Sequence, residues 1–224
     1  MKPTFTRILS WLITLIVPFF LLMTAIRALF TPLYPQVVYR LPGFPPDAYG
    51  FSLEDRLHWS RISIEYLLNN AGINYLADQQ LIDGQPLYNE RELSHMLDVK
   101  IVFQKMVTAW VILLALLAAL GLWAWRGKWL PAFLHALANG GKLTIGIVAF
   151  ILAAVAISFT TLFTAFHRIF FSGNSWLFYY TDTLIRLFPL PFWEIGFIVV
   201  GVITLGGAVL LIWAGRKFGQ RKEM

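Results

Sequence analysis

The sequence predicts an all-α membrane protein: four transmembrane helices with a small extracytoplasmic cap. Hydrophobic residues make up 58% of the 224-residue chain and charged residues only 13%, a balance far from that of a soluble domain. Four apolar runs, Ile8–Phe30, Phe103–Trp125, Leu143–Ala165 and Trp193–Ala214, each meet the length of about 20 residues that a spanning helix needs. The charges are also sorted. Eleven of the twelve acidic residues lie in 31–102 or 166–194, Glu223 being the exception. Lys2, Arg7, Arg126, Lys128, Lys142, Arg216, Lys217, Arg221 and Lys222 flank the opposite ends of the runs.

The positive-inside rule places those basic flanks, and hence both termini, in the cytoplasm. The expected order is a first span within 1–30, a cap over 31–102, a second span over 103–125 and a cytoplasmic loop over 126–142. A third span over 143–165, an outer loop over 166–192, a fourth span over 193–214 and a tail over 215–224 follow. The first run is too long for a signal-peptide core and lacks a small-x-small cleavage site, so it is read as retained, with Pro18 as a kink point. Trp123, Trp125 and Trp213 form an inner aromatic belt, and Trp193 belongs to an outer one. The net charge of +6 is a topology feature: a nucleic-acid partner would need a basic face on a soluble module, and there is none. With no cysteine, thiolate nucleophiles, disulfides and cysteine-ligated metals are excluded.

The cap begins with Pro32, Pro35, Pro42, Pro45 and Pro46, which predict an extended entry. Ser52 and Asp55 then make a capping-box start for an amphipathic helix of about five turns, closed by Gly72. Asp83-Gly84 marks a tight turn between short apolar pairs. Asn89, with Glu92 at its third position, caps a helix that runs on into the second span.

Titratable groups meet apolar surface in two stretches, NERELSHMLDVK (89–100) and FHRIFFSGNSWLFYYTDTLIRLFP (166–189). His95 stands about 9 Å along the helix from Ile101, at head-group depth, and His167 ends the third apolar run at similar depth. The second and third spans are antiparallel neighbours, so the two rings can meet. Asp98 shares a face with His95 at i+3 and can orient it. A lone interfacial histidine is often only an anchor, and a metal site of His95, Asp98 and His167 has no supporting spacing such as HExxH. His58 and His135 have weaker claims. In the loop after His167, Gly173 and Asn174 tolerate left-handed backbone while Phe170, Phe171 and Trp176 pin it to apolar surface. Ser175 invites a serine-nucleophile reading without a GxSxG elbow. Asp182 and Arg186, at i and i+4, default to an ion pair and otherwise hold the loop or recognise a head group, and Arg27 is placed to pair with a carboxylate or a phosphate.

Both stretches, together with the layout of the spans, resemble the lipoprotein intramolecular transacylase family of bacterial integral-membrane proteins. The resemblance implies a bacterial cytoplasmic-membrane enzyme with an extracytoplasmic site and catalytic histidines, here His95 and His167. It implies a diacylglyceryl lipoprotein substrate in membrane lipid, whose sn-2 acyl chain moves to the α-amine of its own N-terminal cysteine to give the lyso-form. The chemistry needs no cofactor and no metal: one imidazole takes the proton of the amine and the other serves the leaving oxygen or the oxyanion. His167 is favoured as base. Asp98, Asn174, Asp182 and Arg186 are the supporting candidates, and Phe170, Phe171, Trp176, Tyr179 and Tyr180 the candidate substrate walls. Two other readings stay open: a non-enzymatic scaffold or lipid-binding accessory, and a Ser175-dependent lipid hydrolase.

Overall fold

The computed structural model describes residues 3–171 and 173–219, so Lys2, Ser172, Arg221, Lys222 and Glu223 lie outside the described residues. Its elements are helical: α1 (Pro3–Leu29), α2 (Leu33–Val38), α3 (Leu53–Leu68), α4 (Asn74–Ala77), α5 (Glu90–Arg126), α6 (Leu130–Ile157), α7 (Phe159–Phe170), α8 (Thr183–Leu187) and α9 (Leu190–Phe218). Helices α1, α5, α6 and α9 are long and apolar enough to cross a bilayer. The chain divides into two compact units, one of Met1–Ala28, Val107–Ile157 and Ile198–Met224, the other of Leu29–Met106 and Ser158–Phe197.

The first unit is a packed set of long helices. Its core joins Ile13, Val17 and Leu21 of α1 to Ala124 of α5, Phe133 and Ala136 of α6, and Ala208 of α9, with Trp129 from the α5–α6 connection. Helices in lipid gain little from apolar burial and associate through close packing, which small residues permit. Gly140 and Gly141 do this on successive positions of α6: a Cβ on Gly140 would lie 2.5 Å from Val17 Cβ, and one on Gly141 2.7 Å from the Ala208 carbonyl oxygen. Gly215 meets Ala138 in the same way. Two polar ties add direction, Thr14 Oγ1 to the Ala136 carbonyl at 3.2 Å and Trp110 Nε1 to Thr24 Oγ1 at 3.0 Å. Trp11, Leu15, Phe150, Val202 and Leu210 are exposed, the outward apolar surface that hydrocarbon requires.

The second unit is built from short helices tied by buried polar contacts. The Ser52–Asp55 capping box opens α3 as the sequence predicts. Asn89 and Glu92 bond reciprocally at the start of α5. Glu92, 1% exposed, spends its other oxygen on the Leu184 N–H at 2.7 Å and so fixes α8 to α5. Thr183 Oγ1 donates to the Leu87 carbonyl, and Tyr34 and Tyr39 donate to the Phe192 and Leu187 carbonyls. The Asp83-Gly84 turn is present, with Gly84 at φ +81° and Leu81 N–H bonded to the Gln85 carbonyl.

Local structure departs from expectation in four places. The proline-rich entry contains α2, because Pro32 is its N-cap and Pro35 lies in the first turn, where no helical N–H is lost. Helix α3 stops at Leu68 on an extended Asn69, short of Gly72. Residues 130–142, expected as a loop, belong to α6, leaving only 127–129 as the connection. The third apolar run is divided at Ser158, whose extended backbone and Oγ, accepting from Thr161 N–H, end α6 and begin α7. Helix α1 runs continuously through Pro18.

Candidate active site

Helix α5 has 37 residues and is about 55 Å long, well beyond the hydrocarbon thickness of about 30 Å. Its charged opening turns, Glu90 to Lys100, precede the apolar stretch, and His95 is on them. His167 is in the last turn of α7. The second unit brings the two imidazoles face to face, with ring centroids 6.1 Å apart and planes within 22°. They are 8% and 9% exposed.

Aromatic rings enclose the pair. Phe171 and Phe178 meet His95 edge-on at 4.9 and 5.3 Å. Phe163, Trp176 and Phe171 lie against His167 at 4.2, 5.0 and 5.6 Å. His167 Nδ1 is 2.8 Å from the carbonyl oxygen of Phe163, one turn earlier in α7. A carbonyl oxygen only accepts, so Nδ1 carries the proton and the neutral ring presents Nε2 as its lone pair. His95 Nδ1, Ser175 Oγ and Trp176 Nε1 are buried without a hydrogen-bond partner among the described residues.

Burial, and after it the neighbouring His167, pushes the His95 imidazole from 6.5 down to about 4. Burial also lowers His167, against the opposing bond to Phe163. Both rings are therefore neutral at pH 7. The unfolded chain takes up protons on histidine below about 6.5 where the folded one does not. The stability contribution of the buried neutral rings is thus complete above that value and lost as pH falls towards 4. His95→Leu is expected to flatten this acid-side loss, on the order of 3 kcal/mol for the full shift. Melting temperatures in detergent between pH 7 and 4 check it; parallel pH slopes for the two proteins would contradict neutral burial.

Several expected partners are placed elsewhere. No hydrogen bond joins Asp98 to His95; the ring turns into the aromatic pocket while the carboxylate stays half-exposed. Sharing a helix face is not sharing a direction once tertiary packing chooses the rotamer. Asp182 and Arg186 do not pair with each other. Asp182 accepts from Tyr179 N–H, Asn89 and Arg91, whereas Arg186 binds Asp47 at 3.0 Å and stacks on Phe51. Asp182 is the N-cap of the five-residue α8, so its side chain turns back to the preceding loop and Arg186 is left to reach the 47–51 segment. Asn174 uses its carbonyl to close the turn with Leu177 N–H and makes no hydrogen bond to either histidine. Of the expected walls, Phe171 and Trp176 line the pair, while Phe170 packs on Phe166 and Tyr179 and Tyr180 are exposed, Tyr179 beneath the Arg91 guanidinium. Phe163 and Phe178 line it without having been expected. Ser175 is not bonded to His167. His58 lies on α3, and His135 Nδ1 bonds the Pro131 carbonyl within α6.

The family model described as "Lipoprotein intramolecular transacylase Lit" matches residues 9–193. The chain belongs to the Lit family. It is thereby an integral membrane protein of an acyltransferase family concerned with lipoproteins. Structural comparison agrees on the Lit fold: the membrane-integral lipoprotein intramolecular transacylase Lit from Bacillus cereus superposes with TM-score 0.80 at 19% identity, covering 96% of each chain. A form of that protein with a histidine-to-arginine substitution gives TM-score 0.73 at 21% identity, covering 96% of this chain and 92% of that one. An uncharacterized protein of Aquifex aeolicus (strain VF5) is 26% identical over 216 residues, 93% of this chain and 94% of its own length.

Proposed function

We propose that this chain moves the sn-2 acyl group of a diacylglyceryl lipoprotein to the α-amine of its N-terminal cysteine, leaving a lyso-form lipoprotein. The observation that carries the reading is the neutral pair His95 and His167, buried and facing each other inside an aromatic wall. In the first step the amine nitrogen attacks the ester carbonyl carbon, the carbonyl π pair moves to oxygen, and the proton of the amine passes to His167 Nε2. In the second the carbon–oxygen bond to glycerol breaks, and the departing oxygen takes a proton from an imidazole. Atoms and charge balance without a further reactant. A free α-amine has a pKa of about 8 and is partly neutral near pH 7, so a neutral imidazole is the right acceptor. The aromatic wall excludes water, which would otherwise hydrolyse the ester, and holding ester and amine of one molecule together supplies much of the rate.

Charge supports the orientation. Arg126, Lys128, Arg216 and Lys217 lie at the ends of α5 and α9 that the positive-inside rule makes cytoplasmic, which places both termini in the cytoplasm and the histidines on the extracytoplasmic side. A hydrolase using Ser175 is less well supported, because Ser175 Oγ is buried and makes no hydrogen bond to His167.

The test is expression in a bacterium lacking lipoprotein N-acylation, with mass spectrometry of lipoprotein N-termini. N-acylated lyso-forms are expected; unchanged diacylglyceryl forms with well-expressed protein would overturn the reading. Ser175→Ala is expected to convert substrate at close to the parent rate, and its inactivity would point back to a serine nucleophile.

A further inference from the structure

Acyl transfer through a tetrahedral adduct places negative charge on the former carbonyl oxygen, and a water-poor aromatic site has to supply a donor for it. The imidazoles start neutral, and His167 spends its Nδ1–H on the Phe163 carbonyl. One further donor sits against His167. The Trp176 ring lies 5.0 Å from the His167 ring at a tilt of 34°, and its Nε1–H is buried without a partner among the described residues.

An indole nitrogen can donate and never accept, so the orientation of its hydrogen bond is fixed by chemistry. Leaving such a donor buried and unpaired costs about 1–3 kcal/mol, a cost that native proteins seldom carry without use. The loop holds the ring in place from both sides. Phe171 is buried against both histidines, Gly173 turns the chain at φ +68°, the Leu177 N–H closes the turn on the Asn174 carbonyl, and Tyr179 N–H is bonded to Asp182. A positioned donor of this kind needs no rearrangement when charge appears, which is where such groups gain their effect.

We propose that Trp176 is a further catalytic residue whose indole Nε1–H donates to the oxyanion of the tetrahedral adduct. This rests on the histidine reading above. The experiment uses the full-length enzyme in detergent or proteoliposomes with a synthetic dipalmitoylglyceryl-cysteinyl peptide, comparing kcat and KM for Trp176→Phe, for β-(3-benzothienyl)alanine incorporated at position 176, and for His95→Ala. The benzothienyl ring keeps the indole shape and replaces N–H by sulfur, so it decides the matter even if the phenylalanine variant folds poorly. Loss of about 10²-fold in kcat with KM little changed is expected for both position-176 variants. Parent-like kcat in the benzothienyl protein, or a change confined to KM, overturns the proposal. If those proteins keep full activity while His95→Ala is inactive, only the indole's role falls; if His95→Ala is fully active, the histidine reading falls with it.

Discussion

His167→Ala is expected to slow acyl transfer by about 10²–10⁴-fold, the range that a positioned general base contributes. The variant also removes the ring packed between Phe163, Phe171 and Trp176. His167→Asn separates the two effects. Its amide nitrogen falls near the position of Nδ1 and can still donate to the Phe163 carbonyl, but it has no lone pair where Nε2 stood. A comparable loss in His167→Asn, with melting in detergent close to the parent, assigns the deficit to proton transfer. Conversion near the parent rate, read as lyso-peptide formed per minute by mass spectrometry, would remove His167 from the chemistry. His95→Ala combined with His167→Ala should cost little more than either alone, because residues acting as one unit are not additive.

The second large effect is on folding. Gly140→Leu is expected to destabilise the first unit by about 1–3 kcal/mol or more, since its Cβ would start 2.5 Å from Val17 Cβ, with Cγ1 and Cγ2 of the same residue at 2.9 and 3.0 Å. Val17 is itself fully buried and has nowhere to move. Gly141 on the next position holds off the α9 backbone, so α6 cannot rotate to relieve one clash without creating another. Gly146→Ala on the same helix, where a Cβ meets nothing within 4 Å, is the control and should be neutral or slightly stabilising. Thermal unfolding in detergent measures both. Partial recovery in Gly140→Leu with Val17→Ala would show that volume, not helix propensity, sets the loss.

Much of this molecule was legible because membranes simplify the physics. Span-length apolar runs and sorted charge indicate four crossings, and Ser52, Asp55, Asn89 and Glu92 announce two helix starts through short-range capping chemistry. The break at Ser158 was written less loudly. Its Ser-x-x-Thr spacing is a cap pattern, but the surrounding hydrophobicity continues through it, and a hydropathy reading follows the louder feature. Position along their helices is enough to expect His95 and His167 near one another, an arithmetic that survives errors of a residue or two, and the rings stand 6.1 Å apart. Their neighbours were not found by the same means. Arg186 and Asp47 are 139 positions apart in sequence, and no local period links them. Asp98 failed for the opposite reason: it was close in sequence, yet the pocket around Phe171 and Phe178 set the direction of His95. Phe178 looked like one more aromatic in an aromatic stretch until the loop placed it against the ring.

The oxygen that fixes the proton on His167 belongs to the main chain at position 163, one turn back on the same helix. Every amino acid offers that oxygen. Genetic drift at the codon can reshape the wall that Phe163 forms, but as long as the last turns of α7 stay wound it cannot switch the tautomer of the base, which leaves this part of the machinery protected against mutation in a way that a carboxylate partner would not be.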